Sequence, residues 1–200
     1  MTEIVLASRN KKKIAELQSL LDESLAGKVK ILSLSDIGFD GEIDEFGDSF
    51  EVNSLIKAAV PARLGYIGVA DDSGLCVDAL GGAPGIYSAR FLGEDTPYTE
   101  KNAIVLNRLK DVPDEQRTAR YVCAICCIFP NEDIISTEGV CEGKMGYEPK
   151  GSNGFGYDPI FVYGDKSLAE ISDEEKDKIS HRGIALKKFV VELKKYLDKQ

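Results

Sequence analysis

The chain is poor in the residues that would announce a metal-histidine or disulfide protein: it has one histidine, and its cysteines number five. A single imidazole, His181, excludes a zinc site built of histidines and makes a Ser-His-Asp triad a strained reading. An odd cysteine count behind the opening MTEIVLAS, whose apolar stretch is too short for a secretory signal, argues against a disulfide framework and for a reduced, cytoplasmic setting. No segment approaches the ~20 consecutive apolar residues of a membrane span. Low-complexity tracts, internal repeats and the G-x-x-x-x-G-K-[ST] phosphate loop are also missing. Basic charge is in deficit, with 25 Lys and Arg against 34 Asp and Glu and a net charge of -9, so polymeric nucleic acid is not an expected partner.

What is present reads as an ordinary globular chain, 43% hydrophobic and 30% charged, and 200 residues suit a single domain over residues 1–200. Strand, polar turn and helix follow one another at the start: EIVLAS, then NKKKIAELQSLLDESL with Ile14, Leu17, Leu21 and Leu25 on one helical face. KVKILSL reads as a second strand, and the acidic stretch SDIGFDGEIDEFGDS as an exposed loop. A helix is expected over 50–64 with Pro61 as a kink, a strand over YIGVA, and a helix over YTEKNAIVLNRLKDV. The apolar runs 118–129 and 134–143, separated by PNED, predict a hairpin. A glycine-rich loop KGSNGFGYDP, a short strand IFVYG and a C-terminal helix from about Gly183 to Asp198 complete an α/β fold with a mixed sheet. Cys123 and Cys126 have C-x-x-C spacing, but they lie on a strand whose residues three apart face opposite sides, so burial is the expected role.

Three stretches carry candidate chemistry. In SRNKKK, residues 8–13, backbone N–H groups at a helix start join Ser8, Asn10 and the ammonium groups of Lys11, Lys12 and Lys13. Lysines in a first turn oppose the helix dipole, so the stretch is either a polyanion site or a solvated turn with incidental charge. In ADDSGL, two adjacent carboxylates repel unless a cation relieves them, and on extended backbone Asp71 and Asp72 point to opposite faces. Ser73 and Gly74 beside them suit hydrated Mg²⁺ near a phosphate; the bland alternative is an acidic turn. In GFGYDP and SHRG, an aromatic ring in a glycine-rich loop offers a stacking surface for a base, and His181 and Arg182 offer donors, although a lone histidine is commonly structural.

Taken together, SRNKKK, FEVNSLIKA, ADDSGLCVDALGGAPGIYSARF, GFGYDPIF and KISHRGIAL resemble the HAM1-like, or inosine triphosphate pyrophosphatase, family over nearly the whole chain and in the family's order. The resemblance implies an elongated central mixed sheet flanked by helices, with two lobes and a substrate cleft, in a homodimer. It implies Mg²⁺-dependent hydrolysis of ITP, dITP or XTP to the monophosphate and pyrophosphate. On this resemblance Ser8, Arg9, Asn10, Lys11, Lys12 and Lys13 meet the triphosphate, and Glu45, Asp72 and secondarily Asp71 hold the metal, with Asp72 also the base that activates water. Ser73 contacts substrate; Phe155, Gly156, Tyr157 and Asp158 form the stacking and sugar-facing loop; Lys176, His181 and Arg182 reach the nucleotide. A Maf-like pyrophosphatase acting on other nucleotides, and a nucleotide-binding module without turnover, are the alternatives.

Overall fold

In the computed structural model residues 1–25 and 27–199 are described, except for the side chain of Lys12. Among them are seven strands, β1 (Thr2–Leu6), β2 (Val29–Ser33), β3 (Ile67–Val77), β4 (Thr118–Ile128), β5 (Ile134–Met145), β6 (Phe161–Tyr163) and β7 (Lys166–Ser167), in one sheet of order β2-β1-β3-β4-β5-β6-β7. The helices are α1 (Lys11–Leu25), α2 (Phe50–Arg63), α3 (Tyr98–Arg108), α4 (Asp173–Ile179) and α5 (His181–Leu197). Parallel pairing of β1 with β2 and β3, and antiparallel pairing of β6 with β5 and β7, make the sheet mixed, as expected. The chain divides into two compact units, residues 1–72, 123–139 and 184 onward in the first, residues 73–122 and 140–183 in the second.

The first unit is built on the apolar stripe of α1. Leu17, Leu21 and Leu25 recur at the three-to-four-residue spacing of one helical face, and they share a buried cluster with Ile4, Ile31 and Phe189. Side chains of this size stabilise by roughly 1.5–3 kcal/mol each when buried. Ala58, Ala70 and Cys126 form a smaller cluster where α2 meets β3. Small residues there permit a close approach: a Cβ on Gly68 would run into the Ala58 carbonyl and the ring of Pro61. Pro61 stands in the last turn of α2, and its carbonyl accepts from the Leu64 and Tyr66 amides.

The second unit has its own core, centred on Leu75, Val105, Leu109, Tyr121, Met145 and Phe161. Arg117 is 1% exposed; its guanidinium donates to the carbonyls of Leu109 (2.6 Å), Met145 (3.0 Å) and Gly146 and so satisfies backbone acceptors at the ends of α3 and β5.

Two expectations change, and the one for the cysteines holds. The strand thought to end at Ala70 runs on to Val77, so Asp71, Asp72, Ser73 and Gly74 lie on β3 and not in a loop. The C-terminal helix begins at His181, and a short helix, α4, precedes it behind a Ser172–Glu175 capping box. All five cysteines are free thiols, Cys123 and Cys126 fully buried. Among the described residues no helix is long and apolar enough to cross a membrane.

Candidate active site

Extended backbone turns successive side chains to opposite sides, and β3 uses this to give its two carboxylates different partners. Asp71 Oδ2 accepts from Lys13 Nζ of α1 at 2.6 Å. Asp72 Oδ1 lies 3.2 Å from Lys57 Nζ of α2, and its Oδ2 accepts from Asn53 Nδ2 at 3.2 Å. Lys57 reaches Glu45 Oε1 as well, at 2.8 Å, so an acidic residue of the loop and one of the central strand meet on one ammonium. Asn53 and Lys57 share a face of α2 because they are four residues apart. Asn53 is fully buried and also accepts the Gly47 N–H at 2.8 Å, which ties the loop carrying Glu45 to the carboxylate of Asp72. The Ser49 hydroxyl starts α2 by accepting the Val52 N–H.

The electrostatics follow from burial. Desolvation pushes the Asp72 carboxyl up from the usual carboxylate range, ahead of the downward pull of Lys57. For Lys57 burial acts against the charged form, but Asp72, Glu45 and Asp71 outweigh it and raise its pKa. Lys13 on Asp71, and Lys57 on Asp72 and Glu45, bring three carboxylates and two ammonium groups together along β3.

At the start of α1 the Ser8 hydroxyl accepts the Asn10 N–H (3.1 Å), and Asn10 Oδ1 accepts the Lys13 N–H (3.4 Å). Lys11 is exposed in the same turn; Lys12 belongs to α1, with its side chain outside the described residues. Arg9 is placed differently from expectation: its guanidinium donates to the carbonyls of Phe39 and Gly41, at 3.4 and 2.7 Å, and tethers the acidic loop.

The second unit gathers Phe155, Gly156, Tyr157, Asp158, Lys176, His181 and Arg182. Phe155 is 78% exposed, and Lys176 Nζ stands 4.7 Å over its ring. Tyr157 and Asp158 depart from the expected substrate-facing role, because both are buried. The Tyr157 hydroxyl donates to the Ser88 carbonyl at 2.9 Å and its ring meets Tyr98 edge-on. Asp158 Oδ2 accepts from Lys176 Nζ at 2.6 Å and from the Phe155 N–H at 2.7 Å. The carboxylate thus holds up the loop, and Gly154 (φ 72°) makes room for it, since a Cβ there would collide with Asp158. Asn102 of α3 donates to the Gly156 carbonyl at 3.2 Å. Ser73 is half-buried on β3. His181 and Arg182 open α5.

Sequence reasoning missed Lys57, Asn53, Tyr121 and Asn102. The first two lie in FEVNSLIKA and could have been found from their shared helical face; Tyr121 sits in an apolar strand that carries no chemical signal. Among the described residues no three His, Cys, Asp or Glu side chains stand in metal-holding geometry. Glu45 and Asp72 nevertheless converge on a cationic centre, and hard carboxylate oxygens in that number match Mg²⁺, which takes one or two carboxylates with phosphates and water.

The mixed sheet and the carboxylate–lysine cluster at its central strand define the class, an α/β protein with an acidic cluster on its central strand. The chain belongs to the Ham1 family, whose pattern matches residues 4–192. It is 44% identical over 192 residues to the dITP/XTP pyrophosphatase of Bacillus licheniformis, covering 94% of this chain and 96% of that protein. The dITP/XTP pyrophosphatase of Mycobacteroides abscessus is 46% identical, covering 92% of this chain and 91% of that protein. Among solved structures, a HAM1 protein from Coxiella burnetii superposes with a TM-score of 0.90 at 38% identity, covering 98% of this chain and all of that one.

Proposed function

We propose that the chain is a nucleoside triphosphate pyrophosphatase that hydrolyses ITP, dITP and XTP to the monophosphate and pyrophosphate, with residues 1–200 acting as one catalytic domain. The observation that carries this reading is the meeting of Glu45 and Asp72 on Lys57, which gathers two carboxylates at one point. The names of its relatives supply the substrate class. Mg²⁺ bound by Glu45 and Asp72 would neutralise phosphate charge and polarise the reacting phosphoryl group.

The protein's own groups then do the positioning. Ser8, Asn10, Lys13 and the N–H groups opening α1 orient the triphosphate, with Arg9, Lys11 and Lys12 adding positive charge around it. Lys57 balances the carboxylates and draws the phosphate toward them. The Asp72 carboxylate orients the attacking water and takes its proton, acting in concert with the metal it would hold. Asp71, held by Lys13, keeps that lysine aimed at the same strand.

Residues of the second unit read the base. The exposed Phe155 ring stacks on it, and Lys176, His181 and Arg182 present donors toward the 6-keto oxygen of hypoxanthine or xanthine. Adenine puts an amino donor at that position, and a donor facing a donor costs about 1–3 kcal/mol, roughly tenfold to a hundredfold in discrimination. A homodimer in the cytoplasm completes the reading; sedimentation of the purified chain tests the dimer.

The experiment is a panel of nucleoside triphosphates with Mg²⁺, read by pyrophosphate release. ITP or XTP should lead ATP and GTP; a leading ATP would refute the base assignment. A Maf-like specificity would show as preference for pyrimidine or modified nucleotides, and a binding module as no turnover at all.

A further inference from the structure

Tyr121 lies on β4, outside every motif, and is 8% exposed. Its ring lies face to face with the His181 imidazole, with centroids 4.8 Å apart and planes 9° apart. The Tyr121 ring also packs against Phe161 at 4.8 Å, tilted by 51°. The hydroxyl stands 3.4 Å from Asp158 Oδ1. Burial, with the Asp158 carboxylate beside it, holds the phenol firmly protonated, so the O–H is the donor. Asp158 in turn holds Lys176 and the Phe155 amide. One buried ring therefore underlies His181 directly and Phe155 and Lys176 at one remove.

We propose that Tyr121 is a positioning residue for base selectivity: its ring fixes the plane in which the His181 N–H groups point, and its hydroxyl braces the carboxylate that supports Phe155 and Lys176. The proposal rests on the base-recognition reading above. The physical reason is directional. Imidazole N–H groups lie in the ring plane, so a parallel partner on one face restricts where they can aim. The Ser180 hydroxyl, accepting the Gly183 N–H at 3.0 Å, fixes the backbone at the head of α5, and the Tyr121 ring lies flat against the imidazole that projects from it. Aromatic pairs of this geometry contribute enough to shift selectivity about threefold to tenfold. The 3.4 Å hydroxyl contact is the weaker half of the device.

The test uses the purified full chain with Mg²⁺, comparing kcat and KM for ITP and ATP in Y121F and Y121L. Y121F keeps the stacked ring and should hold the ITP-to-ATP ratio of kcat/KM within about twofold of the parent. Y121L should lower that ratio about threefold to tenfold, chiefly through KM for ITP. A purely structural tyrosine would lower both nucleotides together and leave the ratio unmoved, which overturns the proposal. Because the chain has one histidine, its imidazole proton NMR signals are unambiguous. In the parent they should lie upfield from ring current, and in Y121F they should stay there. Signals at the free-imidazole position in the folded parent overturn the proposal even if Y121L fails to fold. A parent without preference for ITP over ATP overturns the base-recognition reading beneath it; a selective parent with an unchanged ratio in Y121L overturns the role of Tyr121 alone.

Discussion

Each unit contains a half-buried lysine bound to a buried aspartate, and the two pairs behave differently. Lys176 and Asp158 form a closed set: one ammonium on one carboxylate, whose remaining lone pairs accept the Phe155 amide and the Tyr121 hydroxyl. Lys57 and Asp72 form an open set, since the ammonium is shared with Glu45 and burial pushes the Asp72 carboxyl up. A saturated buried pair shapes a loop. An ammonium divided between two carboxylates gathers their oxygens at one point, where a divalent cation and a reacting water can use them.

The sharpest way to break this comparison is to remove one charge at a time. Asp72→Asn should reduce Mg²⁺-dependent pyrophosphate release by on the order of 10³-fold while leaving nucleotide binding by calorimetry largely intact; unaltered turnover would end the proposed mechanism. Lys57→Met strands two carboxylates against one another and should cost about 3 kcal/mol in urea unfolding without metal, with part of the loss recovered on adding Mg²⁺. Asp158→Asn should behave differently, because that pair is structural: KM for ITP should rise about tenfold with little change in kcat, and Mg²⁺ should rescue nothing. The smallest effect is expected from Gly68→Ala, where the added methyl group wedges α2 from β3. It should cost about 1–3 kcal/mol in thermal or urea unfolding and reduce activity by displacing Asn53 and Lys57 together.

The periodic elements were legible before any coordinates. Leu17, Leu21 and Leu25 mark α1 by spacing alone, and PNED marks the turn between β4 and β5, because these signals are local. The adjacent acids Asp71 and Asp72 were legible as candidates through the ADDSGL motif, and the loop acid Glu45 through the family resemblance. Tyr157 and Asp158 were misread as facing substrate: a motif string records which residues recur together and not which way each side chain turns. The partners of Arg9 were illegible for the same reason, since nothing local shows that its guanidinium donates to the Phe39 and Gly41 carbonyls.

The sequence by itself therefore determined the order of elements, the acidic balance, the free thiols and the family, all of which follow from periodicity, composition and contiguous motifs. Only the tertiary structure decided that Lys57 is shared between Glu45 and Asp72, that Asp158 is an internal brace, and that Tyr121 lies flat on His181. Those facts depend on residues 12 to 60 positions apart in the chain being brought within hydrogen-bonding or stacking distance, and burial then sets the charge state that each group holds.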